Sequence, residues 1–374
     1  KEYRRQRQMC IRDSFEYMSL ALRLAEQGLN TTSPNPRVGC VLVKDSEIIG
    51  QGAHLKAGEP HAEIMALRDA EQKSPEKIKG ATAYVTLEPC SHFGRTPPCA
   101  NALIEAGLGR VIAAMQDPNP KVAGNGLKNL AAGGISVEHG LMEAQARELN
   151  IGFVARMTKN KPYVRVKIAS SLDGRTALAN GESKWITSES ARQDVQHWRA
   201  RSCAILTGIG TVLADNPNMN VRIATTRQAL KVIVDSQLRT PVDANILKDG
   251  KVLIAYTQGN EAQKSALSDA GAELLQIGTA GKVCLKSLLS ALAERGINEL
   301  MVEAGQTLNG TLLAANLVDE FVLYYAPVIL GADARGMLAI PAVESMQDRV
   351  NLQIIETRQI GQDIRIRAKP LYQG

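Results

Sequence analysis

Four side chains in this sequence have the types and spacing to do chemistry: His61, Glu63, Cys90 and Cys99. The first two sit in "EPHAE" (59–63); the cysteines sit in "LEPCSHFGRTPPC" (87–99), with eight residues between them. One imidazole and two thiolates supply three ligands to a zinc ion and leave the fourth position to water, as catalytic sites do. Zinc brings the pKa of such a water from about 16 to roughly 7. Glu63 is close enough in sequence to take the released proton and hand it to a departing amine. A closed structural site would need a fourth protein ligand, for which His92 and His54 are the nearby candidates.

The flanking sequence says what must hold these residues. "EPHAEIMALRDAE" reads as a helix from Pro60, with Ile64, Ala66 and Leu67 facing inward. "ATAYVTLE" reads as a buried strand ending before Cys90. "PPCANALIEAG" opens a second helix with proline at its start and glycine after it. Cys99 then occupies a first helical turn, whose free N–H groups and partial positive charge favour a thiolate. Upstream, Asp13 and Glu16 read as a capping box for a helix with the stripe Met18, Ala21, Leu22 and Ala25, stopped at Gly28. "VGCVLVKDSEIIGQG" reads as a hairpin turning at Asp45-Ser46. "RVIAAMQDPNP" adds a strand, "GLKNLAAGGISVEHG" a helix and a strand, and a final helix is expected over 141–155. Residues 13–157 are thus a three-layer α/β domain.

A polar linker is expected near 156–162, followed by a second α/β domain over 158–374. Its strands are "YVRVKIAS", "CAILTG", "KVIVDS", "KVLIAYT", "ELMVEA" and "EFVLYYAPVIL". Residues 1–12 fit no element and are expected to form a disordered tail. Cys10, Cys40, Cys203 and Cys284 lack partners at ligand spacing and read, with His139 and His197, as packing residues.

Composition narrows the class. The 374 residues exceed one ordinary core, and 44% hydrophobic with 22% charged residues is ordinary for a globular enzyme. Half of the net charge of +6 comes from Lys1, Arg4, Arg5, Arg7 and Arg12 against Glu2 and Asp13. The rest of the chain is too weakly basic, and at 4% aromatic too poor in stacking platforms, for nucleic-acid binding. That argues against the main alternative, an RNA-directed deaminase. No apolar run reaches the eighteen or so residues of a membrane span. The irregular cysteines fit a reduced, cytoplasmic enzyme rather than a disulfide scaffold.

His-x-Glu followed by Pro-Cys and a second cysteine is the signature of zinc deaminases. "PNPRVGCVLVKD", "GAHLKAGEPHAE", "VTLEPCSHFGRTPPCANALIEAG" and "MQDPNPKVAGNG" resemble the deaminase half of the bifunctional riboflavin biosynthesis deaminase/reductase family. The eight-residue insert between the cysteines separates that family from cytidine and tRNA adenosine deaminases. The resemblance implies a cytidine-deaminase-like fold, one Zn2+ per chain, and a pyrimidine ribonucleotide as substrate. Arg95, behind the flexible Gly94, would meet its phosphate through a two-pronged guanidinium. Asn35 and His54 would line the pyrimidine pocket.

"KIASSLDGRTALANGESKWIT", "AILTGIGTVLADNPNMNVR" and "ELMVEAGQTLNGTLLAANLVDE" resemble the reductase half of the same family, which implies a dihydrofolate-reductase-like domain using NADPH. The last block reads independently as a strand, a glycine turn with Gly305 and Gly310 for close backbone approach, and a helix start able to receive phosphate. By resemblance the cofactor side comprises Ala169, Trp185, Thr211, Asp215, Ser236 and Gly305, Gln306, Thr307, Leu308, Asn309, Gly310 and Thr311. The sugar-phosphate side comprises Ser183, Arg199, Met219, Arg222 and Glu303. Residues 223–300 offer no readable chemistry beyond "VIVDS". The implied sequence is zinc-assisted hydrolytic deamination, then NADPH-dependent reduction of the ribosyl chain. A homo-oligomer without nucleic-acid or membrane partners is expected.

Overall fold

The computed structural model describes residues 2–91, 98–120, 122–225, 227–278 and 281–372, with side chains from residue 12 onward. Two compact units divide the chain, Lys1–Asn160 and Lys161–Gly374. The division falls three residues beyond the expected domain boundary because the preceding helix continues to Lys159.

The first unit contains α1 (Glu2–Glu26), β1 (Gly39–Lys44), β2 (Glu47–Ala53), α2 (Ala62–Lys73) and β3 (Thr82–Val85). It continues with α3 (Cys99–Glu105), β4 (Arg110–Ala113), α4 (Asn125–Ala132) and β5 (Ser136–His139). It closes with α5 (Glu143–Leu149) and α6 (Ile151–Lys159). Its five-stranded sheet has the order β2-β1-β3-β4-β5. The β1–β2 hairpin turns at Asp45 and Ser46, both in the left-handed region, as a two-residue hairpin loop demands. Strands β3, β4 and β5 run parallel. Alternation along the hairpin sends one face to α1 and the other to α2. Thus Gly39 abuts Ala21 of α1, and Gly52 abuts Ala62 and Ala66 of α2. The core between the layers includes Met18, Leu42, Leu103, Met115 and Leu130.

Three expectations are corrected here. Residues 2–12 do not lie outside every element: their backbone continues α1, since Arg, Gln and Met are good helix formers and no breaker precedes Asp13. Asp13 is therefore inside a helix, not capping one. Ile64 is only half-buried, and Glu63 takes its inward position. The helix expected over 141–155 is broken at Asn150, whose side chain accepts from Arg37 N (2.7 Å) and donates to Arg37 O (2.9 Å). That partner is remote in sequence, so no local pattern announces the break.

The second unit opens with β6 (Tyr163–Ser171), β7 (Arg175–Ala177), α7 (Glu189–Arg201), β8 (Ala204–Gly208) and α8 (Ile209–Asp215). Then come β9 (Leu230–Val234), α9 (Asn245–Lys248), β10 (Val252–Tyr256), α10 (Glu261–Asp269) and β11 (Ala272–Gln276). The chain continues through α11 (Leu285–Glu294), β12 (Glu299–Val302), α12 (Gln306–Ala314) and β13 (Glu320–Ala326). It ends with β14 (Arg335–Gly336), β15 (Asn351–Ile360) and β16 (Asp363–Leu371). The nine-stranded sheet has the order β11-β10-β9-β8-β12-β6-β13-β16-β15. It is parallel except for β16 and β15, an antiparallel hairpin added at one edge. Apolar clusters cover both faces, which explains near-continuous hydrophobic strands such as "VLIAY". Across β6, β12 and β13, Arg165 pairs with Glu299 and Glu320, all three buried. Arg201 and Arg367 complete the network on those two carboxylates.

Candidate active sites

The first site forms where the N-termini of α2 and α3 meet the loop after β3. His61 is the N-cap of α2 in extended conformation, and Cys99 is the first residue of α3 behind Pro98. His61 Nδ1 lies 3.2 Å from Cys99 Sγ and 3.6 Å from Cys90 Sγ. All three donor atoms fall within 4.8 Å of one another, and the two distances from His61 are close to the separation of about 3.5 Å that a tetrahedral ion with bonds of about 2.0–2.3 Å sets between its ligands. Cys90 is held by the start of α3: its Sγ accepts from Cys99 N (3.2 Å) and its carbonyl from Ala100 N (3.2 Å).

Electrostatics match that geometry. The hydrogen bond from Cys99 brings the Cys90 thiol down to about 4, against burial and with help from His61. The same bond, with burial, pushes the Cys99 thiol far up. Binding a dication requires both thiols to lose their protons. Glu63 is 3% exposed, and its Oε2 has no hydrogen-bond partner among the described residues. Burial, reinforced by the Cys90 thiolate, raises its carboxyl to about 7. A buried carboxylate with one orphaned oxygen, beside one imidazole nitrogen and two thiols, fits a zinc ion and a proton relay.

His54 and Asn35 are brought together at this site. Asn35 Nδ2 lies 3.1 Å from His54 Nε2, and His54 Nδ1 lies 3.1 Å from Pro60 O. A carbonyl can only accept, so His54 Nδ1 donates and Nε2 accepts from the Asn35 amide. Both ring nitrogens are engaged, which removes His54 as a fourth metal ligand. Burial lowers its pKa, consistent with a neutral ring. Arg95, Gly94 and His92 lie outside the described residues.

The second site lies beyond the carboxyl ends of β8, β12 and β6, where open α/β sheets bind ligands. Arg199 on α7 forks onto Glu303, which follows β12, with bonds of 2.6 and 3.0 Å. Arg199 also donates to Asn220 O (3.0 Å), tying in the segment that carries Met219 and Arg222. Met219 is buried with φ 53°, and Arg222 is exposed. Burial pushes the Glu303 carboxyl up, but Arg199, Lys167 and Arg222 more than reverse that. Arg199 and Glu303 therefore satisfy each other first, where the sequence suggested separate phosphate and ribose contacts. Lys167, missed in the sequence, flanks Glu303 on β6 through the register Val302↔Val166.

Of the residues expected on the cofactor side, Ala169 lies on β6, and Thr211 and the exposed Asp215 lie on α8. The Ser236 hydroxyl accepts from Val283 N (3.3 Å). Trp185 is 69% exposed, with the Arg192 guanidinium 4.5 Å from its ring centre. Ser183 is half-buried on the same loop. Gly305 caps α12 and Gln306–Thr311 form its start. Two details add to the sequence reading. A Cβ on Gly310 would lie 2.1 Å from Ala339 O, so its close approach is to the chain itself. Asn309 is buried and donates to Ala304 O (3.0 Å), bracing the turn. Of the remaining residues expected to pack, Cys40 and Cys203 are buried, whereas Cys284, His139 and His197 are exposed. The Cys10 side chain lies outside the description.

Comparison with known proteins assigns a family to each half of the chain. Residues 12–115 match the cytidine and deoxycytidylate deaminase zinc-binding region, and residues 162–366 match the RibD C-terminal domain. The chain is 50% identical over 362 residues to the riboflavin biosynthesis protein RibD of Escherichia coli, covering 93% of this chain and 97% of that one. It is 48% identical to the Haemophilus influenzae protein of the same name, covering 95% and 96%. Among solved structures, Acinetobacter baumannii RibD superposes with a TM-score of 0.89 at 46% identity, covering 96% of this chain and 99% of that one. A Thermotoga maritima diaminohydroxyphosphoribosylaminopyrimidine deaminase/5-amino-6-(5-phosphoribosylamino)uracil reductase gives 0.85 at 32% identity, with the same coverage. A cytidine-deaminase-like zinc domain followed by an NADPH-dependent reductase domain thus makes this chain a member of the RibD family, the bifunctional deaminase/reductases of riboflavin biosynthesis.

Proposed function

We propose that His61, Cys90 and Cys99 hold the zinc ion and that Glu63 is the proton carrier of a hydrolytic deamination. The substrate read for the first unit is 2,5-diamino-6-(5-phosphoribosylamino)pyrimidin-4-one. When bound, zinc supplies Lewis acidity that makes water nucleophilic at neutral pH. Glu63 accepts the proton of that water and delivers it to the leaving amine, a task suited to a carboxyl raised towards neutrality. Asn35, its Nδ2 committed to His54, offers its carbonyl oxygen to a ring N–H. Arg95 takes the phosphate. The single observation carrying this reading is the His/Cys/Cys cluster beside a buried carboxylate with an orphaned oxygen.

The second unit reduces the resulting 5-amino-6-(5-phosphoribosylamino)uracil to its ribityl form. NADPH supplies the hydride, and this chain's residues bind and orient. The α12 N-terminus and the Gly305–Thr311 turn, with Ala169, Trp185, Thr211, Asp215 and Ser236, face the cofactor. Ser183, Arg199, Met219, Arg222 and Glu303 hold the sugar phosphate. The Arg199–Glu303 fork at the sheet's carboxyl end supports that assignment. The working form is a homo-oligomer. Support comes from β15, a ten-residue edge strand with Leu352, Ile354 and Ile355 exposed, an edge that a second copy would cover. No helix among the described residues is long and apolar enough to cross a membrane. The free thiols at the first site suit a reducing, cytoplasmic setting.

Glu63→Gln tests the division of labour. Ammonia release is abolished while reduction of supplied aminouracil continues; loss of both activities contradicts the assignment.

A further inference from the structure

Glu88 is a buried carboxylate with no role in either half-reaction. It is 3% exposed. Its Oε2 accepts from Asp117 N (3.0 Å) and Gly124 N (2.9 Å), and its Oε1 accepts from Gly126 N (2.7 Å) and Leu127 N (3.4 Å). These four N–H groups come from the segment leading into α4 and from its first turn; the N-cap of α4, Gly124, has no side chain to cap with. Glu88 therefore serves as the missing cap, and the helix N-terminus compensates its charge. The contact continues one residue further: a Cβ on Gly126 would lie 2.0 Å from Pro89 O. The backbone immediately before Cys90 is thus clamped against the start of α4, while Cys99 N and Ala100 N hold Cys90 from the other side.

We propose that Glu88 is a positioning residue for the metal, fixing the direction of Cys90 Sγ through the 117–127 segment. The inference rests on Cys90 being a zinc ligand. A thiolate on a short loop has a rotatable Cα–Cβ bond and a mobile backbone. Ligand direction is therefore inherited from whatever immobilises that backbone, and outer partners of this kind are worth about 10–100-fold in metal affinity. Glu88→Gln keeps the size but turns one oxygen into an amide that points its own hydrogens at two N–H groups.

The test uses the full-length holoenzyme and its cobalt-substituted form. Glu88→Gln is expected to lose zinc to a competing chelator about 10–100-fold more readily, and to shift the thiolate-to-cobalt absorption bands. Its deaminase kcat should fall with KM within about twofold, and its NADPH-dependent reduction should be unchanged. Gly126→Ala places a Cβ 2.0 Å from Pro89 O and 3.1 Å from Glu88 Cγ and Oε1, so it displaces the same clamp without changing the carboxylate and should shift the cobalt bands too; it carries the test if Glu88→Gln does not fold. A folded Glu88→Gln, or failing that Gly126→Ala, with parental cobalt bands and chelator competition overturns the proposal. Cys90→Ala is the separate control: parental zinc affinity there would remove the ligand assignment itself rather than the role of Glu88.

Discussion

Replacing Gly52 with alanine puts a methyl group where α2 already lies. The added Cβ would sit 2.2 Å from Ala62 O, 2.4 Å from Ala66 N and 2.8 Å from Met65 Cβ, whereas ordinary contact begins at 3.4 Å. Two of the three atoms are helix backbone, which cannot rotate aside. The start of α2 must then retreat by about 1 Å, carrying His61 and Glu63 on either side of Ala62. Overpacking of this kind costs about 1–3 kcal/mol, which a folded domain survives. Misplacing catalytic groups by about 1 Å costs on the order of 10²-fold in rate. Ammonia release by Gly52→Ala should fall by that factor, with weakened zinc retention, while NADPH oxidation on supplied aminouracil stays at the parental rate. The assay is a paired measurement on one preparation, ammonia by a coupled dehydrogenase and NADPH by absorbance. Ammonia release within threefold of the parent, at full zinc content, would refute the claim that β2 sets the position of the site.

Other outcomes follow from the same structure. Glu303→Gln leaves Arg199 with half of its fork, so reduction should weaken by about 2–5 kcal/mol, roughly thirtyfold or more in kcat/KM, with ammonia release unchanged. Arg95→Ala should raise the KM of the deamination far more than it lowers kcat; an unchanged KM would end its phosphate role. Glu320→Gln removes one of the two carboxylates on the buried Arg165, leaving Glu299 as its partner, and should destabilise the second unit by about 1.5–3 kcal/mol in urea titrations. For Glu320, burial pushes the carboxyl up, but Arg165 and Arg367 hold it below the ordinary value of 4.5. Its stabilisation is therefore complete above pH 4.5 and is lost as pH falls through the lower folded value. Glu320→Gln should flatten that acid limb of the stability curve.

The zinc cluster was legible because each ligand carries its own local context. A helix start sits at His61, a strand end before Cys90 and a proline-led helix start at Cys99. The hairpin turn was legible for the same reason, since Asp45-Ser46 interrupts two apolar runs. Features that depend on distant partners were not. Glu88 looks like one residue of a motif until its carboxylate meets the 117–127 segment. The break at Asn150 requires Arg37, and Lys167 acquires meaning only when β12 is laid beside β6. The β15–β16 hairpin escaped because β15 is exposed on both faces, so its burial leaves no alternation to read. Arg199 and Glu303 could each be read from the sequence as candidate site residues, but their mutual pairing is a tertiary fact.

The most direct measurement is anomalous scattering at the zinc edge from crystals of protein purified without added metal. One peak about 2.3 Å from both Cys90 Sγ and Cys99 Sγ and about 2.0 Å from His61 Nδ1, with Glu63 facing a non-protein fourth position, is the expected result. An absent peak, or a fourth protein side chain closing the coordination, would contradict a hydrolytic zinc site.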